Sequence, residues 1–364
     1  MKIGIVTIVD NTNFGNRLQN YAVYFILSKR YGCKVRTLAT KQENRFGDGN
    51  YVLWCKEKFA KFLATTVPSV AEKNFGNNIS RWANFCNWSK HIPTTCYFGN
   101  DRLPDKINEK YDLFFAGSDQ IWNYHFSFRK FYNYFLKFAD DKKKIAISAS
   151  FGVESIPAEW RKEYIEGLNG FSHISVREEA GQAIVKDLIG ENVPVLIDPV
   201  MMLSKEEWMN VSKKPRIDCS KPYVLKYYLG DKSESAKIDL WAKEKGYEVY
   251  ELLDAHIPEL YSAGPGEFIT LIRNAALVCS DSFHCIVMAI IFSRPFVVYA
   301  RKGKDANMSS RLETLLKKFG FQDRWESFLD ESQYLNCKYD RVEELLRKEQ
   351  QKFSDYISDV LGGK

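Results

Sequence analysis

Apolar residues recur along this chain in short runs separated by amphipathic stretches. Lys2 to Val9 is nearly continuous in Ile, Val and Gly, the pattern of a strand buried on both faces. From Arg17 to Tyr31 the apolar positions Leu18, Ala22, Phe25 and Ile26 fall at helical spacing, and Gly32 ends the run. Val35 to Ala39 predicts the next strand, so the chain opens β-α-β. A long aromatic stretch follows and reads as helical. Then Tyr111 to Ala116, Lys144 to Ala149, Ser172 to Val176 and Val193 to Ile197 read as strands. Strands alternating with helices predict a parallel sheet covered on both faces.

Asp198-Pro199 and the charged segment around Pro215 predict a boundary near residue 200. Beyond it, Tyr223 to Leu229, Tyr247 to Leu253, Ala276 to Cys279 and Phe296 to Tyr299 read as strands. Ser235 to Lys245, Glu267 to Ala275 and Cys285 to Phe292 read as the helices between them. Residues 1–200 and 201–340 are therefore expected to form two α/β domains. In the tail, 341–364, Arg341 to Leu361 reads as an amphipathic helix that needs a partner surface, and the first domain is the candidate. A length of 364 residues agrees with two cores rather than one.

Composition narrows the class. A hydrophobic fraction of 45% with 27% charged residues excludes a disordered or collagen-like chain. The net charge of +6, from 52 basic and 46 acidic residues, is too small an excess to argue for nucleic acid, although it suits anionic substrates or an anionic membrane surface. Met1 to Asp10 runs into polar Asn11, Thr12 and Asn13, which reads as a strand and not a signal peptide. No run of about 18 apolar residues predicts a membrane span. The 8 cysteines show neither CxxC pairs nor metal-ligand spacing, so reduced thiols in a cytoplasmic protein without a metal site are expected.

Candidate chemistry gathers just after predicted strands. Asn13, Gly15 and Asn16 follow the first strand, and Gly117, Ser118, Asp119 and Gln120 follow the run at Tyr111. Ser150, Phe151 and Gly152 follow the strand at Lys144, Arg177 follows the one at Ser172, and Asp281, Ser282, Phe283 and His284 follow the one at Ala276. Carboxyl ends of parallel strands form the ligand crevice of open α/β sheets, so two such domains facing each other place these loops around one cleft. Gly15-Asn16 offers amides to an anion or is a capped turn, and Gly264-Pro265-Gly266 has the same two readings. Asp119 is a base that also binds a sugar hydroxyl, or it closes an Asx-turn. Ser150 and Gly152 are phosphate donors or a turn. Arg177 suits a carboxylate or phosphate, while His284 is either a core histidine or a site residue. Arg301, Lys302 and Lys304 form an anion clamp or a solvated loop.

Several segments together resemble the polysaccharide pyruvyl transferase family. They are residues 13–22 (NFGNRLQNYA), 116–123 (AGSDQIWN), 148–152 (SASFG), 174–178 (ISVRE), Asp198-Pro199, 266–268 (GEF), 281–284 (DSFH) and 307–311 (NMSSR). The resemblance implies a GT-B-like pair of Rossmann-like domains around a central cleft. It also implies transfer of a pyruvyl group from phosphoenolpyruvate to a sugar of a surface-polysaccharide precursor as a cyclic ketal, with no further cofactor. It gives Arg177, His284 and a lysine after the last strand to the donor; Lys304 fits best, with Lys302 and Arg301 as alternatives. On this frame His284, Arg177 and Asp119 are expected to carry catalysis. Lys304, Ser150, Gly152 and Ser282 complete the donor site. Asn13, Asn16, Gln19, Ser118, Asp119, Gln120, Trp122 and Asn123 face an acceptor that is lipid- or nucleotide-linked, with peripheral contact at the inner membrane face. A nucleotide-sugar glycosyltransferase and a non-catalytic sugar-binding module are the competing expectations.

The composition also holds 15% aromatic residues, many of them between Trp122 and Phe138. They either pack a core or form a platform for a sugar or a membrane surface.

Overall fold

The computed structural model describes residues 1–10, 12–41, 59–60, 62–63, 66–67, 76–98, 101–230, 236–301 and 309–362. Lys302, Lys304 and the Asn307-Met308 pair lie outside the described residues.

Two parallel sheets organise the chain. The first has strand order β3-β2-β1-β4-β5-β6, built from β1 (Lys2–Val6), β2 (Lys34–Lys41), β3 (Thr94–Phe98), β4 (Leu113–Asp119), β5 (Lys144–Ala149) and β6 (His173–Val176). The second has order β10-β9-β7-β8, from β7 (Tyr223–Tyr227), β8 (Glu248–Glu251), β9 (Leu277–Ser280) and β10 (Phe296–Val298). Every strand pair is parallel. The central strands β4, β5, β7 and β9 are buried almost throughout, as their apolar runs require.

Two expectations change. Thr94–Phe98, within the stretch read as helical, is the edge strand of the first sheet. Val193 to Ile197 contributes only a single bridge, Val195 to Val176, and not a strand.

One apolar core joins the two sheets. Phe14 on the first helix (Phe14–Phe25) stacks on Phe268 of the helix Pro265–Asn274 with centroids 4.2 Å apart, and meets Tyr227 edge-on at 5.5 Å. Arg81 lies 4.8 Å from both the Phe14 and Phe85 rings and donates to the carbonyls of Thr12 and Tyr261, tying the halves together. The C-terminal helix Val342–Val360 buries Phe353 and Ile357 in this same core. It returns to the first sheet through Tyr356, which donates to the Ala146 carbonyl at 2.7 Å, and Gln350 ties it to the turn Pro199–Met202 by donating to the Met201 carbonyl at 2.7 Å.

Candidate active site

In each sheet the chain reverses its direction of winding at one point, and loops on either side of that point diverge to leave a crevice. In the first sheet this point lies between β1 and β4, in the second between β7 and β9. A cavity of about 230 Å³ opens there, lined by Asn13 and Asn16 after β1, Asp119 and Gln120 at the end of β4, Ser282 and His284 after β9, and Arg301 after β10. Arg311, on the helix Ser310–Phe319, also lines it.

The first helix starts here because Asn13 caps it, its Oδ1 accepting from the Asn16 amide at 3.2 Å. Asn16 in turn donates through its side chain to Asp119. Asp119 stands at φ 75, a left-handed conformation, and its Oδ1 accepts from the Gln120 amide at 2.8 Å.

Behind the cavity wall lies a buried ionic network. Arg177 pairs with Asp198 at 2.5 Å, approaches Asp119 at 3.7 Å and Glu178 at 4.0 Å, and lies 4.5 Å from the Phe283 ring. Asp198 also stands 3.5 Å from Nε2 of His284, and its other oxygen accepts from the Val200 amide at 2.9 Å. Burial alone raises a carboxyl pKa, but His284 and Arg177 outweigh it and hold Asp198 below the ordinary carboxylate range. Burial likewise opposes the Arg177 charge, yet Asp198, Asp119 and Glu178 raise its pKa above the ordinary arginine value.

The cavity wall also carries two further guanidinium groups. Arg301 is tied to Asp281, whose carboxylate accepts from the amides of Leu229 and Gly230 at 2.8 Å each. Arg311 has no carboxylate partner among the described residues and is only 5% exposed. Burial, with Arg177 and Arg301 nearby, lowers its pKa to about 9. With its amide oxygen turned towards Arg311, Gln120 accepts from both terminal nitrogens at 2.9 Å. A buried guanidinium among others of its own sign favours an anion. Among the described residues no group of three or more His, Cys, Asp or Glu side chains is arranged to hold a metal ion.

The predicted residues divide between the cavity and the wall behind it. Asn13, Asn16, Asp119, Gln120, Ser282 and His284 line the cavity. Arg177 sits behind it with Asp198 as its main partner. Ser150 and Gly152 are corrected from phosphate donors to structural ones: the Ser150 hydroxyl and the Phe151 and Gly152 amides all donate to Oε1 of Glu178, so their hydrogens are already taken up. Gln19 bonds Thr7 and the Asn16 carbonyl, and Ser118 bonds the Ser148 carbonyl, both fully buried. Asn123 caps the turn Tyr124–Ser127. Trp122 is fully buried against Phe135, Phe151 and Phe171 and forms no platform. The Gly264 amide bonds Glu267 within its own helix cap, while the glycine packs on Asn84, away from the cavity.

Glu178, Asp198 and Arg311 have no site role in the sequence reading. Adjacent side chains are expected to diverge, which sets Glu178 aside as a partner of Arg177, yet it stands 4.0 Å away, and Asp198 marks a domain boundary. A carboxylate just before proline at the end of an apolar run was the one local signal for Asp198.

These two winding α/β sheets with a crevice between them define a two-Rossmann-domain, GT-B-like fold. Solved structures agree at the level of fold. The S. aureus MnaA-UDP co-structure matches with TM-score 0.50 and 10% identity over 100% of this chain and 97% of that one. The UDP-GlcNAc 2-epimerase from Methanocaldococcus jannaschii matches with TM-score 0.50 and 11% identity over 97% and 100%. The chain belongs to the polysaccharide pyruvyl transferase family, which it matches over residues 13–303. No curated protein matches it.

Proposed function

We propose that the cavity binds phosphoenolpyruvate and transfers its three-carbon unit to a sugar of a surface-polysaccharide precursor, as a cyclic ketal. The observation that carries this reading is the buried Asp198–His284 contact, 3.5 Å long, beside a cavity walled by Arg301 and Arg311, in a chain of this family. Phosphoenolpyruvate brings about three negative charges, which the two guanidinium groups and the amides of the first helix turn offset; Arg177 adds its field from behind.

Asp198 positions His284, which donates a proton to the methylene carbon of the donor and leaves an oxocarbenium-like carbon. A sugar hydroxyl attacks that carbon while Asp119, aligned by Asn16, accepts its proton. The carbon–oxygen bond to phosphate then breaks, and a second hydroxyl closes the ring. Two hydroxyl protons leave, one balancing the new methyl group and one departing on phosphate. The acceptor is lipid- or nucleotide-linked, and the enzyme works in the cytoplasm with peripheral contact at the membrane. Among the described residues no helix is long and apolar enough to cross a membrane.

Incubation with phosphoenolpyruvate and candidate acceptors, following inorganic phosphate and the ketal methyl signal by NMR, tests the reading. Release of a nucleoside diphosphate instead would sink it. Wild-type turnover by His284→Ala would remove His284 from the chemistry.

A further inference from the structure

Neighbouring residues at the start of the first helix serve two different cavities. Asn13 and Asn16 face the cavity between the sheets, whereas Arg17 lines a second cavity, of about 370 Å³, beside the carboxyl ends of β1 and β2. The exit of β1 alternates in the same way: Ile8 and Asp10 face the first cavity, Thr7 and Val9 the second. Residues 7–10 and the start of the first helix thus form a common wall. The second cavity contains none of the residues given a catalytic or donor role above.

Its chemistry is that of an anion site. Arg17 is 1% exposed; one terminal nitrogen donates to the Ile8 carbonyl at 3.2 Å, and Nε has no hydrogen-bond partner among the described residues. A buried guanidinium with an unused donor is costly unless a ligand completes it. Burial lowers the Arg17 pKa to about 10, with Asp10 acting in the opposite sense. Lys90 and Lys130, both exposed, also line the cavity, and among the described residues no Asp or Glu does. Leu38, Ile92 and Leu103 supply apolar wall. A buried guanidinium, two exposed ammonium groups and an apolar wall without a carboxylate match a phosphate carried on an organic body.

We propose that this cavity binds an organic phosphate or diphosphate, held by Arg17 and attracted by Lys90 and Lys130. The phosphate is either that of the transferase's acceptor, which rests on the function proposed above, or that of a separate phosphorylated effector, which does not.

Inorganic pyrophosphate is the probe, titrated calorimetrically into full-length Arg311→Gln protein so that the first cavity lacks its unpaired guanidinium. One equivalent is expected to bind. Adding Lys90→Glu with Lys130→Glu weakens the affinity tenfold or more, a figure on the order of 1.4 kcal/mol, and adding Arg17→Gln abolishes binding. Absence of binding to the Arg311→Gln protein overturns the proposal, as does binding that the rim substitutions leave unchanged. The rim residues are exposed, so this arm decides even if Arg17→Gln does not fold. In the phosphate-release assay, an acceptor phosphate predicts that pyrophosphate competes with the acceptor and that the rim variant raises acceptor KM alone. A separate effector predicts a change in kcat without competition. If no phosphate is released from phosphoenolpyruvate at all, the function proposed above fails while the calorimetric result stands.

Discussion

Gly15 and His284 touch across the junction of the two halves: a Cβ on Gly15 would fall 2.0 Å from Nδ1 of His284. The helix cannot retreat cheaply, because Phe14 is stacked on Phe268 and every residue from Phe14 to Val23 is buried. Glycine is required here for close approach. Gly15→Ala is therefore expected to push the imidazole off Asp198 and lower kcat/KM by on the order of 100-fold. Phosphate-release kinetics measure this. Wild-type kcat/KM in Gly15→Ala would mean that the position of His284 does not matter.

The cluster formed by Asp198 with Arg177 and His284 sets an acid limb of stability. The folded-state pKa of Asp198 is lowered, so its contribution is fully present above the unfolded carboxyl value of about 3.9 and is lost as pH falls through the lower folded value. Urea midpoints measured from pH 7 downwards should fall more steeply below about pH 4 in the wild type than in Asp198→Asn. At pH 7 the variant should be less stable by about 3 kcal/mol, the low end for breaking a buried pair. Asp119 and Glu178 still face Arg177, which is why the low end applies. Parallel acid limbs in the two proteins would contradict the assignment.

Sequence patterns reveal the strands that are buried on both faces, because β1, β4, β5, β7 and β9 are predominantly apolar, with isolated interruptions such as Ser148 in β5 and Lys226 in β7. They hid β3, whose residues Thr94–Phe98 are half-buried or exposed at the sheet edge and give no such run. At the site, chain order placed Asp119 and His284 correctly at strand ends, since the position of a loop follows from the strand before it. Which way each loop residue faces does not follow. Ser150 and Gly152 turn to Glu178, and Trp122 turns into the core, because partners distant in sequence decide the matter. The site roles of Asp198 and Arg311 are not legible in sequence for the same reason: they arise only where the two halves meet.

Trp122 is the case in which the core reading prevails. Its ring stands 5.9 Å from Phe135 and 5.1 Å from Phe151, and its indole N–H donates to the Tyr134 carbonyl at 3.4 Å. Trp122→Ala should cost about 3–5 kcal/mol of folding stability, measured by urea denaturation. Acceptor KM of the protein that remains folded should be unchanged. A large rise in acceptor KM with intact stability would restore the platform.

Arg311 gives the most direct test of the donor site. Its guanidinium is buried beside those of Arg177 and Arg301, with a pKa lowered to about 9, so its charge is present below that pH and lost above it. If it holds the donor, kcat/KM for phosphoenolpyruvate in the wild type should fall as pH rises through about 9. Arg311→Lys keeps a positive charge but loses the planar fork that takes up two oxygens at once. Donor KM in this variant should rise by on the order of 10-fold to 100-fold, as expected for losing a charged hydrogen bond of about 1.5–3 kcal/mol. Acceptor KM should stay within about twofold, because only the donor meets this side chain. Steady-state kinetics with each substrate varied in turn separate the two. A variant that shifts acceptor KM and leaves donor KM alone would move Arg311, and the anion it attracts, to the other substrate.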